Sequence, residues 1–163
     1  MKRLAIAFTG PSNSGKTTLV VRIASILQDR GFKVAIVKHD PKDKASFDKE
    51  GKDSFKFSQT GADVAVVSPN KTTYFKKSTS SIDEIISLFV NFDYLLVEGL
   101  KTLDLPRIAI FRDRLDENYY EVTDIIACDH TIDQNLIPKD MDCLDLNNPE
   151  LVIDWIDKNG KRV

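Results

Sequence analysis

Eight residues near the start constrain this chain more than any others: Gly10-Pro-Ser-Asn-Ser-Gly15-Lys16-Thr17. An apolar run, Leu4 to Phe8, leads into them, and a segment of helical period follows. Leu19, Val20, Ile23, Ile26 and Leu27 form the stripe of that helix, which runs toward Arg30 and is capped by Gly31. Glycines at this spacing let successive backbone N–H groups point into one concavity, and such a nest binds an anion. A helix opening from the loop adds its free N–H groups and its dipole. Lys16 supplies a point charge for the β- and γ-phosphates, and the Thr17 hydroxyl is a hard oxygen ligand for Mg²⁺. The pattern predicts a P-loop, with Gly10, Ser12, Asn13, Ser14, Gly15, Lys16, Thr17 and Thr18 around the phosphates of a nucleoside triphosphate.

The rest of the chain repeats the same alternation. Short apolar runs at 34–37, 64–67, 94–97, 107–111 and 124–127 are nearly continuous in apolar character, as strands buried on both faces of a parallel sheet should be. A helix is expected after Ser81, where Ser81-Ile-Asp-Glu84 has the spacing of a capping box and Ile82, Ile85, Ile86 and Phe89 form a stripe. A last helix follows Pro149, buries Leu151, Val152, Trp155 and Ile156, and stops at Gly160; a shorter one spans Asp53 to Thr60. Pro69-Asn70 reads as a turn into Thr72–Phe75, an edge strand or hairpin whose flanking Lys76 and Lys77 discourage further pairing. The expected fold is α/β: a mostly parallel P-loop NTPase sheet with helices on both faces and a small edge hairpin. Residues 1–163 are expected to form a single P-loop nucleotide-binding domain.

Ligands of open α/β sheets bind at the carboxyl ends of the strands. Asp93 opens the strand ending in Glu98, so the two acids stand roughly 16 Å apart at about 3.3 Å per residue. Only Glu98 lies on the phosphate side, and it is the expected carboxylate for Mg²⁺. Val37-Lys38-His39-Asp40 ends the second strand on the same edge. Lys38 is placed to contact phosphate, and Asp40 to reach the metal through water. His39 is either a base or a hydrogen-bonded structural residue. The lysine-rich stretch 41–52 is either a solvated loop or a switch that docks substrate.

Charge and composition narrow the function classes. The formal net charge of −2 argues against a protein that coats nucleic acid, which needs a basic excess. The apolar run Leu4–Phe8 is shorter than the core of a signal peptide and far short of a membrane span, so a cytoplasmic protein that does not cross a membrane is expected. Cys128 and Cys143 are too few for a disulfide framework and too far apart in sequence for a metal knuckle, and are expected to be reduced thiols.

Several segments, taken in order, carry a family resemblance: Gly-Pro-Ser-Asn-Ser-Gly-Lys-Thr-Thr at 10–18, Val-Lys-His-Asp at 37–40, Gly-Lys-Asp-Ser at 51–54, Gly61-Ala62, and Leu-Val-Glu-Gly-Leu-Lys at 96–101. Over residues 4–129 the chain resembles the molybdopterin-guanine dinucleotide biosynthesis protein B (MobB) family. That resemblance implies a GTP-binding, weakly hydrolysing homodimer that assists the guanylyltransferase MobA, as an adaptor carrying nucleotide or the pterin cofactor. It also implies that Gly15, Lys16 and Thr17 hold GTP and Mg²⁺, that Glu98 serves the metal, and that Asp53 and Lys101 line the site. Asp129, closing the run 125–129, is the expected acceptor for the N1–H and N2–H₂ donors of guanine, which adenine lacks.

The chain departs from the family pattern in two places. Asp40-Pro-Lys-Asp-Lys stands where the family often has further histidines, and residues after Cys128 match nothing in it. Asn70-Lys71-Thr-Thr73 has threonine where a guanine-reading Asn-Lys-x-Asp motif requires an acid. The residues alone leave GTP and ATP open. A small-molecule kinase transferring the γ-phosphate of ATP is the alternative reading, although no dense arginine-bearing lid helix is visible. Arg107, Arg112 and Arg114 fall on or just after a strand, and Arg112-Asp-Arg114 offers either phosphate contacts or a solvated loop.

Overall fold

The computed structural model describes residues 2–163. The chain divides into two compact units, one formed by the segment up to His39 together with Asn91–Val163, the other by Asp40–Val90. The first unit carries the strands β1 (Leu4–Thr9) and β2 (Val34–Lys38) with the helix α1 (Lys16–Asp29) between them. In the second unit lie α2 (Asp53–Gln59), β3 (Val64–Val67), β4 (Thr72–Phe75) and α3 (Ile82–Leu88). The first unit then resumes with β5 (Tyr94–Glu98), β6 (Arg107–Phe111), β7 (Ile125–Cys128), β8 (Cys143–Asp145), α4 (Pro149–Asn159) and β9 (Lys161–Arg162).

The sheet of the first unit runs in the order β2-β5-β1-β6-β7-β8, with every neighbouring pair in that order parallel. β5 pairs with β1 along Leu4–Phe8. The other edge of β1 is shared: β6 is staggered toward the carboxyl end and pairs with Ala7–Thr9, while β9 pairs antiparallel with Leu4 and Ala5. That stagger carries the end of β6 beyond the end of β1, alongside the glycine loop.

The core explains why these runs become strands. Leu4, Ile6 and Phe8 of β1, Tyr94 and Leu96 of β5, and Ile108 and Ile110 of β6 form one face with α1 and α4. From α1 come Leu19, Val20, Ile23, Ala24 and Leu27, and from α4 come Val152, Ile153 and Ile156. Trp155 is half-buried against this core. Leu151, expected inside, is exposed, because the buried face of α4 is set by Pro149, Val152, Ile153 and Ile156. On the opposite face of β6 and β7, Phe111, Ile126 and Ile132 pack against Tyr119 and Tyr120 of the 3₁₀ turn Glu117–Val122 and against Ile137 and Met141.

In the second unit, α3 begins on the expected capping box: Ser81 Oγ accepts from Glu84 N–H, and the Glu84 carboxylate accepts from Ser81 N–H. The run 64–67 corrects the sequence reading. β3 does not join the parallel sheet; it pairs antiparallel with β4, and Val66 and Val67 are exposed. The short turn Ser68–Lys71 returns the chain at once, with Ser68 N–H donating to the Lys71 carbonyl, so the nearest partner for Val64–Val67 is its own hairpin.

Candidate functional site

The glycine loop joins β1 to α1 and is shaped by left-handed backbone at Gly10 (φ 131°), Asn13 (φ 63°) and Gly15 (φ 95°). Gly10 has no alternative: a Cβ there would lie 2.3 Å from the Ile110 carbonyl oxygen of β6. Gly15 is the N-cap of α1 with no side chain to cap it, so the first N–H groups of the helix face the loop. Lys16 Nζ donates to the carbonyls of Gly10 (2.9 Å) and Pro11 (2.6 Å) and lies across the loop it serves. Burial pushes the Lys16 ammonium below its usual value, with Glu98 acting in the opposite sense and Lys38 in the same sense. Ser14 is buried, and its hydroxyl has no partner among the described residues. Ser12, Asn13, Thr17 and Thr18 are exposed along the loop and the first turn of α1.

Glu98 is where the neighbouring strands converge. It ends β5 in register with Phe8 of β1 and Lys38 of β2. Thr17 Oγ1 donates to Glu98 Oε2 at 3.2 Å, and Lys38 Nζ reaches Oε1 at 3.2 Å. The Glu98 carboxylate is only 14% exposed, while Lys38 is largely in solvent. Backbone bonds fix the acid from both sides: His39 N–H donates to the Glu98 carbonyl, and Gly99 N–H to Phe8. Two oxygen donors this close suit neighbouring positions of an octahedral Mg²⁺ shell, whose ligands sit about 2.1 Å from the metal and roughly 3 Å from each other.

The segment after Glu98 is held from below by Arg107. This side chain is 1% exposed, and its guanidinium donates to the carbonyls of Gly99, Leu100 and Leu103, each at 3.0 Å. Its own N–H donates to Asp124 Oδ2. Lys101, in the same segment, places its ammonium 3.6 Å from the centre of the Tyr119 ring. Asp129 follows β7 and is nearly buried. Its Oδ2 accepts from Arg112 Nε at 2.8 Å, and its Oδ1 from both the N–H and the hydroxyl of Thr131.

Two expected site residues belong to the second unit. Asp53 opens α2, is 81% exposed, and pairs with Lys56. Asp40 accepts from the N–H groups of Lys42, Lys44 and Ala45, organising the start of the loop that follows. Among the described residues, the first unit therefore brings together the loop, Thr17, Lys38 and Glu98, with Arg112, itself held by Asp129, beside Gly15. The sequence does not single out Arg107 as a site residue, and it leaves Arg112 between a phosphate contact and a solvated loop. The available signal was the place of Arg112, just past the carboxyl end of a strand.

A parallel sheet whose first strand passes through this loop into α1, with a carboxylate at the end of the adjacent strand, defines a protein of the P-loop NTPase class. The chain belongs to the family described as molybdopterin guanine dinucleotide synthesis protein B, whose model matches residues 5–130. A molybdopterin-guanine dinucleotide biosynthesis adapter protein of Escherichia coli is 29% identical over 169 aligned residues, covering 95% of this chain and 94% of that protein. A homologue from Methanocaldococcus jannaschii is 33% identical over 115 residues; that match covers 67% of this chain and about half, 47%, of the relative's length. A crystal structure of molybdopterin-guanine biosynthesis protein B superposes with a TM-score of 0.71 at 25% identity, covering 94% of this chain and 97% of that one.

Proposed function

We propose that the chain is a GTP-binding adaptor of molybdopterin-guanine dinucleotide biosynthesis that hydrolyses GTP slowly and assists the guanylyltransferase MobA. The observation that carries the nucleotide reading is the convergence of Thr17 and Lys38 on Glu98 at the mouth of the glycine loop. Family membership supports the adaptor role. In this reading Gly10 to Thr18 surround the phosphates, and Lys16 leaves the Gly10 and Pro11 carbonyls to meet them. Thr17 and Glu98 hold Mg²⁺, which offsets the negative charge of the phosphates. Lys101, next to the Glu98 strand end, lines the same site in this proposal, and the adaptor carries nucleotide or the pterin cofactor.

Slow turnover follows from how the acid is used. Glu98 is engaged by both Thr17 and Lys38, so it is not a free base for an attacking water. Lys16 and the loop N–H groups stabilise the transferring phosphoryl group without activating a nucleophile. Turnover well below the 1–100 s⁻¹ typical of kinases is expected. Exposed apolar side chains in the second unit, including Val67 and Tyr74 of the hairpin, support a homodimer. No helix among the described residues is long and apolar enough to cross a membrane; the cytoplasmic location in this proposal rests on the adaptor role of the family.

Titration calorimetry of GTP and ATP with Mg²⁺ tests the reading. A clear GTP preference, lost with all triphosphate binding in Lys16→Ala, is the expected result. A preference for ATP would favour the γ-phosphate kinase instead, and binding left intact in Lys16→Ala would remove the loop from the site.

A further inference from the structure

Arg112 lies just past β6, which the stagger of the sheet carries up beside the glycine loop. Its guanidinium is held by a closed ring of hydrogen bonds. Arg112 Nε donates to Asp129 Oδ2, the Thr131 hydroxyl and N–H donate to Asp129 Oδ1, and Asp113 N–H donates to the Thr131 hydroxyl at 2.7 Å. Asp113 takes left-handed backbone, φ 66°, to make that last bond. The ring closes because Arg112 and Asp113 are consecutive, and it ties the end of β6 to the end of β7.

This ring uses only one edge of the guanidinium. Arg112 Nη1 and Nη2 have no hydrogen-bond partner among the described residues, and the side chain is 40% exposed. Nη2 and Cζ lie 3.6 and 3.7 Å from the position of a Cβ on Gly15, the last glycine of the loop. A planar fork with two open donors, fixed from behind by a buried carboxylate, matches a phosphate in geometry and charge. The neighbouring group is the anion-binding nest itself. A latch that only joined two strands would not need to present its open edge there.

We propose that Arg112 is a phosphate-contacting residue of the nucleotide site, and that Asp129 and Thr131 are its positioning residues. The inference rests on the nucleotide reading above and deepens it. It gives Asp129 a different duty from a guanine acceptor: its oxygens already accept three hydrogen bonds and orient the arginine. Removing the guanidinium should therefore weaken every triphosphate, whatever its base.

The test is calorimetric titration of the full chain with GTP, ATP and inorganic tripolyphosphate, each with Mg²⁺, alongside thermal melts. Arg112→Ala should weaken all three by about ten- to a hundred-fold, the range for a hydrogen bond to a charged group, with the GTP/ATP ratio unchanged. Arg112→Lys keeps the charge without the fork, should recover part of the loss, and serves as the readout if the alanine variant melts too low to titrate. Asp129→Asn should shift GTP and ATP by a common, smaller factor. Unchanged affinity in a folded Arg112 variant, or a loss confined to GTP, would overturn the proposal. Wild-type protein that binds none of the three ligands overturns the nucleotide reading as well. Wild-type binding that disappears in Lys16→Ala but survives in both Arg112 variants overturns this inference alone.

Discussion

Thr17 Oγ1 donates to Glu98 Oε2 at 3.2 Å, joining the first turn of α1 to the end of β5. The two residues are far apart in sequence, and the parallel pairing of β1 with β5 brings them together. In the proposed site this pair is the metal's protein anchor. Glu98→Ala should then abolish most of the benefit that Mg²⁺ gives to GTP binding, a loss of about ten-fold or more. GTP titrations with Mg²⁺ and with chelator measure it directly. An equal Mg²⁺ effect in the variant would remove Glu98 from the metal site.

Arg107 makes a prediction about stability. Its three bonds to the carbonyls of Gly99, Leu100 and Leu103 are made in the interior by a guanidinium that burial pushes below its usual pKa, Asp124 acting oppositely. Arg107→Ala strands those carbonyls and opens a cavity, and should cost about 3 kcal/mol or more. Urea unfolding followed by circular dichroism reads this as a lower midpoint; a midpoint near that of the wild type would refute the clamp.

Much of the fold was legible because its signals are local. The capping box at Ser81–Glu84 and the apolar stripe of α1 lie within a few residues of each other, and both are present in the structure. The apolar run 64–67 looks alike as a buried strand or as a hairpin arm, and only the return at Ser68–Lys71 decides. In the site, the loop announces itself by spacing and Glu98 by its place on a strand. Arg107 does not, and Arg112 is visible only as either a phosphate contact or a solvated loop, because their partners are carbonyls and a carboxylate that meet them only through the stagger of β6.

Acid should weaken the fold partly through Asp129. The Thr131 hydroxyl, assisted by the Thr131 N–H and by Arg112, holds its carboxyl below the ordinary range against the opposing effect of burial. A depressed carboxylate stabilises the fold fully above its unfolded value, about 3.9, and loses that contribution as pH falls through the lower folded value. Between pH about 5 and about 3, wild-type stability should therefore fall more steeply than that of Asp129→Asn. Urea midpoints across that range give the comparison; parallel slopes would contradict it.

The two thiols should be unreactive in the folded protein. Burial, with the nearby Cys143 thiol adding to it, pushes Cys128 up to about 12, and burial also raises Cys143. At pH about 8 almost no thiolate is present at Cys128, so iodoacetamide should leave it unmodified until urea unfolds the chain. Intact-mass spectrometry before and after unfolding decides; rapid native labelling of Cys128 would disprove its burial.

The contact of Gly10 with the Ile110 carbonyl separates two kinds of necessity within one motif. In the proposed site Lys16 answers to a ligand, whereas Gly10 answers to the sheet beside it. A descendant of this chain that abandoned nucleotides could drift at position 16 and keep its architecture, but it would still be obliged to retain the glycine. The spelling of the loop's first position thus records ancestry of the fold, and the lysine is the better witness to present-day function.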